Sequence, residues 1–182
     1  RGGQMGRTII VSCRHDRLSQ LIMKKMYDAV AVSSLKVSFQ RGDQLCWLPE
    51  INAPVDEEVQ ALAAQIDQAV FTPQKIVMLS MVGTADDATP EQVQRWYGKG
   101  AQEYLWAHQY AIKMIDELEL PYTVIRSLPL TATASPAVIT SEGQAVTGKG
   151  GSEETLAGVI EQALLTDRYR NQSIGISAKE DD

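Results

Sequence analysis

Two short apolar runs separated by a helix-length segment constrain the fold of this chain most. Residues 75–81 (KIVMLSM) are almost wholly apolar, which is typical of a strand buried on both faces of a sheet. Residues 122–126 (YTVIR) are rich in β-branched and aromatic side chains, and Pro129 follows them in a loop. A strand, a crossover helix and a second strand close right-handed in a parallel sheet. The sequence therefore predicts an α/β fold with three layers, αβα, around a mainly parallel sheet.

The same stretch predicts where a ligand binds. In open α/β sheets the ligand crevice lies at the carboxyl ends of the strands. Ser80 and Met81 end the first run, and Arg126 and Ser127 end the second. We therefore expect these four residues to face the crevice.

Further strands and helices are predicted along the chain by apolar periodicity and by turn and capping residues. Residues 46–48 are ambiguous between a short strand and a loop. A last strand, at 173–177, is expected at the edge of the sheet. The remaining predictions are strands at 7–13, 30–40 and 137–140 and helices at 16–29, 55–70, 101–118 and 152–165, with a shorter helical piece beginning near Pro90.

Composition limits the class of protein. A chain of 182 residues with 44% apolar residues fits one domain, 1–182, with a substantial core. A net charge of −6 without a Lys/Arg block argues against nucleic acid as a partner. No apolar stretch approaches the ~20 residues that span a bilayer, so no membrane partner is expected. Cys13 and Cys46 are too few for a disulfide framework, which favours a cytoplasmic protein.

The histidine and glycine content narrows the chemistry. His15 and His108 are the only histidines, and no metal-ligand spacing is present, so no metal site is expected. Glycines at 2, 3 and 6 precede the first predicted strand, whereas a dinucleotide fingerprint needs strand, glycine loop and helix in that order. From the residues alone, these glycines are either a flexible terminus or a phosphate cradle.

Ser80, Tyr104 and His108 are the candidate catalytic residues. A serine at a strand end and a tyrosine on the next helix can hold a carbonyl oxygen and supply a proton. A phenol with a pKa near ~10 needs a nearby cation for this role at neutral pH. His108 follows Tyr104 by four residues and so lies on the same helical face. The alternative is that Tyr104 is an ordinary packing residue.

Residues 74–177 resemble a known family. The resemblance is carried by KIVMLSMVG, by the helix leading into ELELPYTVIRSLPLT, and by the run from VITSEGQAVTGKGG to NQSIGIS. These runs are similar to the NmrA-like, atypical branch of the short-chain dehydrogenase/reductases. The resemblance implies a bacterial cytosolic, NAD(P)-binding protein with a Rossmann-like fold, and it leaves open whether part of the first βαβ unit is missing.

The resemblance also implies a set of cofactor contacts, with NADP as the expected cofactor and NAD as the alternative. The run GGQMGR is similar to the second half of the family's glycine-rich loop. The run VSCRHDRLS at 11–19 looks like the end of the second strand, where Arg14 would contact the 2′-phosphate, and Asp43 would lie near the adenine. The implied contacts are Gly2, Gly3, Gln4, Met5, Gly6, Arg14, Asp43, Ser80, Met81, Arg126 and Ser127.

The implied activity is an NAD(P)H-dependent oxidoreductase that acts on a small carbonyl or quinone. Active short-chain dehydrogenases carry a Tyr-x-x-x-Lys pair, whereas this chain has Tyr104 and His108 at that spacing. A non-catalytic NAD(P) sensor or regulatory module is therefore a second hypothesis, and a nucleotide-free interaction protein is a third. Relatives often form dimers, so a homodimer is also considered.

Overall fold

The computed structural model describes residues 6–12 and 16–179, which form the α/β fold that the sequence predicts. The elements in chain order are β1 (Thr8–Ser12), α1 (Asp16–Met23), β2 (Ala29–Val32), β3 (Gln44–Leu48), α2 (Val55–Gln68), β4 (Ile76–Met81), α3 (Pro90–Tyr97), α4 (Ala101–Glu117), β5 (Tyr122–Ser127), β6 (Ala137–Thr140), α5 (Glu153–Leu165) and β7 (Gln172–Ala178). The ambiguous residues 46–48 are thus part of a strand.

All described strands belong to one mainly parallel sheet with the order β2-β1-β3-β4-β5-β7-β6. The central βαβ unit is confirmed, because β4 and β5 pair in parallel with Met78 opposite Val124. The expectation that the last strand forms the edge is wrong: β7 lies between β5 and β6. The reason is burial, since nearly all of β7 is buried whereas the half-exposed β6 can occupy the edge, where it pairs antiparallel.

The predicted strand at 30–40 ends at Val32, and residues 33–43 lead to β3 without a helix. Leu35 and Phe39 in this segment are buried against the core on the α2/α4 side of the sheet. Their apolar alternation suggests a strand, but here it serves to cover the sheet face. Helix α1 is also shorter than predicted, because the chain turns after Met23. Met26 is then buried in the core on the sheet face opposite α2 and α4.

Two apolar clusters, one on each face of the sheet, give the three layers. On one face, α1 and α5 pack together and bury side chains such as Leu18 and Ile160. On the other face, α2 and α4 bury Val59 and Ile115. The amphipathic helices predicted from the sequence therefore enclose the sheet as expected.

The order in which strands are added to the sheet changes direction between β1 and β3, although these two strands are parallel. From β1 the chain runs through α1 to β2 on one side, and from β3 it runs through α2 to β4 on the other. This arrangement is a topological switch point, the place where doubly wound sheets bind ligands. The sequence predicts that residues 11–19 end a second strand. In the structure they end β1, the first described strand, which borders the switch point, and β2 lies outside β1 in the sheet. The unit β1, α1, β2 is present as a parallel βαβ unit.

Candidate functional site

Two neighbouring cavities lie at the carboxyl ends of the strands. The switch-point cavity, of about 280 Å³, lies beyond β1, β2 and β3 and is lined by residues that include Ser33, Lys36 and Trp47. The β4–β5 cavity, of about 230 Å³, lies beyond β3, β4 and β5 and is lined by residues that include Ser80 and Ser127. Pro49 lines both cavities. One elongated ligand could therefore occupy both of them.

The β4–β5 cavity is mainly apolar. Among the described residues, its polar side chains are the hydroxyl groups of Ser80, Tyr97 and Ser127, and none of its lining side chains is charged. Its walls come from the loops that follow β3 and β5 and from α5; the apolar lining residues include Ile51, Leu79, Leu128, Leu130 and Leu156. The cavity therefore suits an uncharged ligand about the size of one ring.

Ser80 and His108 form a buried hydrogen-bonded pair at this cavity. Ser80 Oγ lies 2.8 Å from His108 Nδ1, and His108 Nε2 lies 3.0 Å from the carbonyl oxygen of Ile51. A carbonyl oxygen only accepts, so Nε2 carries the proton. Burial lowers the pKa of His108 to about 4, and the ring is neutral near pH 7. Nδ1 therefore accepts, and the Ser80 hydroxyl donates to it.

Tyr97 joins the ends of the two central strands. Its hydroxyl accepts the backbone N–H of Val82 at 2.8 Å and donates to the carbonyl oxygen of Ser127 at 2.7 Å. Burial raises the pKa of Tyr97, so it remains a phenol. The sequence analysis did not single out this residue. A signal was present, because Tyr97 follows the buried Val93 by one helical turn in a helix with a capping box.

Arg126 lies at the expected strand end but is engaged by protein groups. Its side chain is fully buried and forms an ion pair with Asp87, which is also fully buried. Nε donates to Ser173 Oγ at 2.9 Å, and Nη2 donates to the Ser173 carbonyl oxygen at 3.0 Å. Asp87 also accepts the backbone N–H of Gly83 at 2.8 Å. Arg126 thus holds the loop after β4 against β5 and β7 and does not line either cavity.

Tyr104 and Met81 do not reach the β4–β5 cavity. Met81 is fully buried in a small apolar cluster, and Tyr104 packs against that cluster from α4. The structure therefore brings Ser80 and His108 together and leaves Tyr104 apart from them. The packing role considered for Tyr104 is the one that its contacts support.

Gly6 and Asp43 lie at the opposite edge of the sheet. They precede β1 and β3, and parallel strands place these amino ends away from the crevice. A Cβ at Gly6 would lie 2.0 Å from the backbone of Gly42, so this glycine permits a close backbone contact. Asp43 accepts from Arg7 Nη2 at 2.7 Å and from the Gln40 backbone N–H at 2.6 Å. The expected positions of both residues beside the cofactor are wrong.

Burial acts to raise the pKa of Asp43, but the hydrogen bonds from Arg7 and Gln40 outweigh it and the pKa is lowered. This carboxylate is therefore a charged structural group. The remaining expected contacts, Gly2, Gly3, Gln4, Met5 and Arg14, lie outside the described residues.

The switch-point cavity is more polar than its neighbour. Lys36 lines it together with Ser33, Ser34 and the acidic Glu57 and Glu58. Burial, with a smaller contribution from Glu57, raises the pKa of Glu58. Hydroxyl groups and carboxylates can hydrogen-bond a ribose and an adenine, and Lys36 offers a positive charge for a phosphate.

The two cavities differ in character, since the switch-point cavity offers charged and hydroxyl groups whereas the β4–β5 cavity is mainly apolar and about the size of one ring. In the sequence, residues 12–16 between β1 and α1 read SCRHD and contain no glycine, so the glycine-rich phosphate motif of dinucleotide-binding folds does not occur there.

Comparison with known proteins identifies the family of the chain. A family model described as NAD(P)H-binding matches residues 16–167. No curated protein sequence matches the chain.

Solved structures share the fold at low identity. A short-chain dehydrogenase/reductase from Veillonella parvula in complex with NADP has a TM-score of 0.73 at 12% identity, over 95% of this chain and 94% of that chain. An oxidoreductase from Lactococcus lactis has a TM-score of 0.66 at 15% identity, over 95% and 91%. An anaerobillin reductase from Escherichia coli O157:H7 has a TM-score of 0.62 at 11% identity, over 97% and 85%. At these identities the likeness establishes the fold.

Two further features concern residues 6–12 and 16–179. None of the described helices is long and apolar enough to cross a membrane. No group of three or more His, Cys, Asp or Glu side chains is arranged to hold a metal ion in this part of the chain.

Proposed function

This chain belongs to the NAD(P)H-binding family, and on that basis we propose that it is an NAD(P)H-dependent oxidoreductase that acts on a small carbonyl or quinone compound. The observation that carries the proposal is the β4–β5 cavity, where the Ser80–His108 pair lies at the carboxyl end of a central strand. Ligands of doubly wound sheets bind at this edge.

We place the adenosine end of the cofactor in the switch-point cavity and its nicotinamide ring near Pro49, where the two cavities meet, so that the β4–β5 cavity is left for the substrate. Lys36 lies in the first cavity, and Arg14 falls between β1 and α1 in the sequence. Both could pair with a 2′-phosphate, so NADP is the cofactor we favour and NAD is the alternative. Ser33 and Ser34 would then lie near the ribose.

The protein's own part in the chemistry is to exclude water and to hold the reacting group. When bound, the cofactor supplies the hydride. The apolar lining of the β4–β5 cavity excludes water, and Ser80, held by His108, fixes an oxygen atom in the wall beside the reacting group. Tyr104 lies outside this cavity, so we do not place it at the reacting atoms.

A non-catalytic NAD(P) sensor is the second candidate. The observation that favours it is that none of the described residues that line the β4–β5 cavity is a lysine, and Tyr104 packs elsewhere. A tyrosine acid would need a nearby cation to work at neutral pH. A sensor of this kind would bind the dinucleotide without turnover.

Thermal unfolding with and without the dinucleotide tests the shared premise. A ligand that binds only the folded state at 100 times its Kd stabilises it by about 2.7 kcal/mol. We expect millimolar NADPH to raise Tm, and NADH to raise it less. If neither nucleotide changes Tm, both candidate functions fail.

Cofactor oxidation with a panel of quinones and aldehydes separates the two candidates. The oxidoreductase should show turnover that Ser80→Ala reduces, while Ser141→Ala, an exposed serine remote from the cavity, leaves turnover unchanged. Binding without turnover on the whole panel would favour the sensor. A cytoplasmic location and a homodimer complete the proposal, and fractionation and a mass measurement in solution test them.

A further inference from the structure

The hydroxyl groups that line the β4–β5 cavity have already used their protons. The Ser80 hydroxyl donates to His108 Nδ1, since the Ile51 carbonyl oxygen requires the ring proton to be on Nε2. The Tyr97 hydroxyl donates to the Ser127 carbonyl oxygen at 2.7 Å. The Ser127 hydroxyl donates to the Leu128 carbonyl oxygen at 2.8 Å. A hydroxyl group has one proton to donate, so none of the side chains known to line this cavity, within 6–12 and 16–179, has a proton left for a ligand.

The same hydroxyl groups still offer lone pairs. Each serine oxygen can accept a hydrogen bond while its own proton is engaged. Tyr97 has less to offer, because its oxygen already accepts the Val82 N–H. Ser80 and Ser127 therefore present acceptors to the cavity. A ligand with an O–H or N–H group can satisfy them, whereas a ketone or an aldehyde offers another acceptor and no donor.

Charge narrows the class of ligand further. In the part of the chain that the structure describes, no charged side chain lines the cavity, and the nearby guanidinium of Arg126 is fully buried and paired with Asp87. Transfer of an uncompensated charge into apolar surroundings is costly. A carboxylate or an ammonium ion would therefore be poorly bound, and a neutral ligand is favoured.

We propose that the β4–β5 cavity selects a neutral, ring-sized molecule that carries an O–H or N–H donor, such as an alcohol, a phenol or a primary amide, over the matching ketone or aldehyde. The proposal deepens the function proposed above and rests on it in taking this cavity as the ligand site. If the protein is an oxidoreductase, the proposal means that the cavity binds the alcohol more tightly than the carbonyl compound from which it is formed.

Benzamide and acetophenone are a matched pair of probes, because they differ in an NH2 group and a CH3 group on the same phenyl carbonyl. Ligand-observed NMR titration of the full chain, with no dinucleotide present, gives the Kd of each. A net hydrogen bond changes affinity by about two- to tenfold, and we expect benzamide to bind tighter by that factor. Acetophenone binding as tightly as benzamide, or no binding of either, would overturn the proposal.

Ser80→Ala assigns the acceptor. It removes the lone pairs of Ser80 and should bring the ratio of the two Kd values towards one, whereas Ser141→Ala should leave the ratio unchanged. An unchanged ratio in Ser80→Ala would contradict the proposed role of Ser80. Cyclohexanol and cyclohexanone provide a second comparison on the unaltered chain, and the alcohol should bind tighter. Since no dinucleotide is used, these outcomes are separate from the NADPH test of the proposed function.

Discussion

At the scale of single residues, the histidine of the site is held neutral by its surroundings. His108 is fully buried, and its two ring nitrogens bond to one donor and one acceptor, the Ser80 hydroxyl and the Ile51 carbonyl oxygen. A second ring proton would make Nδ1 a donor, so that Ser80 would accept instead of donate, and it would place a charge in an apolar site. The protonation state of this one ring therefore decides which way the Ser80 proton points.

The neutral ring has a consequence for stability against pH. The pKa of His108 is about 4 in the folded chain, below its ordinary value of 6.5. Between these values the unfolded state binds a proton that the folded state does not, so stability falls as the pH falls. One such proton changes the unfolding free energy by about 1.4 kcal/mol per pH unit.

The variant His108→Gln removes this titration and leaves a neutral side chain. We expect its unfolding free energy to decrease less than that of the unaltered chain between pH 6.5 and pH 4. Denaturant unfolding at several pH values measures the difference, and other titrating groups cancel because both chains share them. Two parallel pH profiles would show that His108 does not carry this dependence.

At the scale of elements, close backbone contacts define the wall of the β4–β5 cavity. A Cβ at Gly150 would lie 2.0 Å from the carbonyl oxygen of Pro129, in the segment that follows β5 and lines the cavity. Gly158, on the exposed side of α5, has no atom within 4 Å of a Cβ built there. Two glycines that look alike in the sequence thus have opposite surroundings.

Alanine substitution at these two glycines should have opposite effects. Gly158→Ala should raise the unfolding free energy by about 0.5–1 kcal/mol, because alanine loses less conformational entropy in a helix. Gly150→Ala should lower the unfolding free energy by about 1–3 kcal/mol, because overpacking forces the Pro129 segment to move. Chemical denaturation of both variants checks the prediction. Destabilisation by Gly158→Ala would contradict it.

At the scale of the whole molecule, one buried ion pair connects distant parts of the chain. Arg126 on β5 bonds to Asp87 after β4 and to Ser173 on β7. The carbonyl oxygen of Asp87 accepts the backbone N–H of Val146 at 3.1 Å. Removing one partner of a buried pair leaves an uncompensated charge. The pair therefore connects the loop after β4, which borders the site, to β5 and β7.

Asp87→Asn should lower the unfolding free energy by about 3–5 kcal/mol, because it leaves the Arg126 guanidinium buried and unpaired. Arg17→Gln is the matched control, since Arg17 pairs with Glu153 and Glu154 at the surface. Loss of such an exposed pair should cost much less, because solvent screens it. Equal unfolding free energies for the two variants would refute the structural role given to Asp87.

Local pattern predicted most of the elements and part of the site. Three segments show patterns that reflect burial of their side chains, and each corresponds to an element of the structure: the apolar run at 75–81, the β-branched run at 122–126 and the helical periodicity of 55–70. Ser80 was placed at a strand end because strand direction follows from the βαβ rule. The membership of the NAD(P)H-binding family agrees with the resemblance that these same runs carry.

Only the tertiary structure decided which residues meet. Gly6 and Asp43 lie at the amino edge because they precede β1 and β3, which pair in parallel, and no local pattern specifies that pairing. Asp87 and Arg126 are 39 residues apart in the sequence, and Tyr97 and Ser127 are 30 residues apart. Helical or strand periodicity does not relate residues at such separations. Such contacts depend on strand order and on the packing of whole helices. The sequence by itself determined the three layers and the ends of the central strands. The tertiary structure decided which side chains pair and which acceptor each hydroxyl group of the cavity donates to.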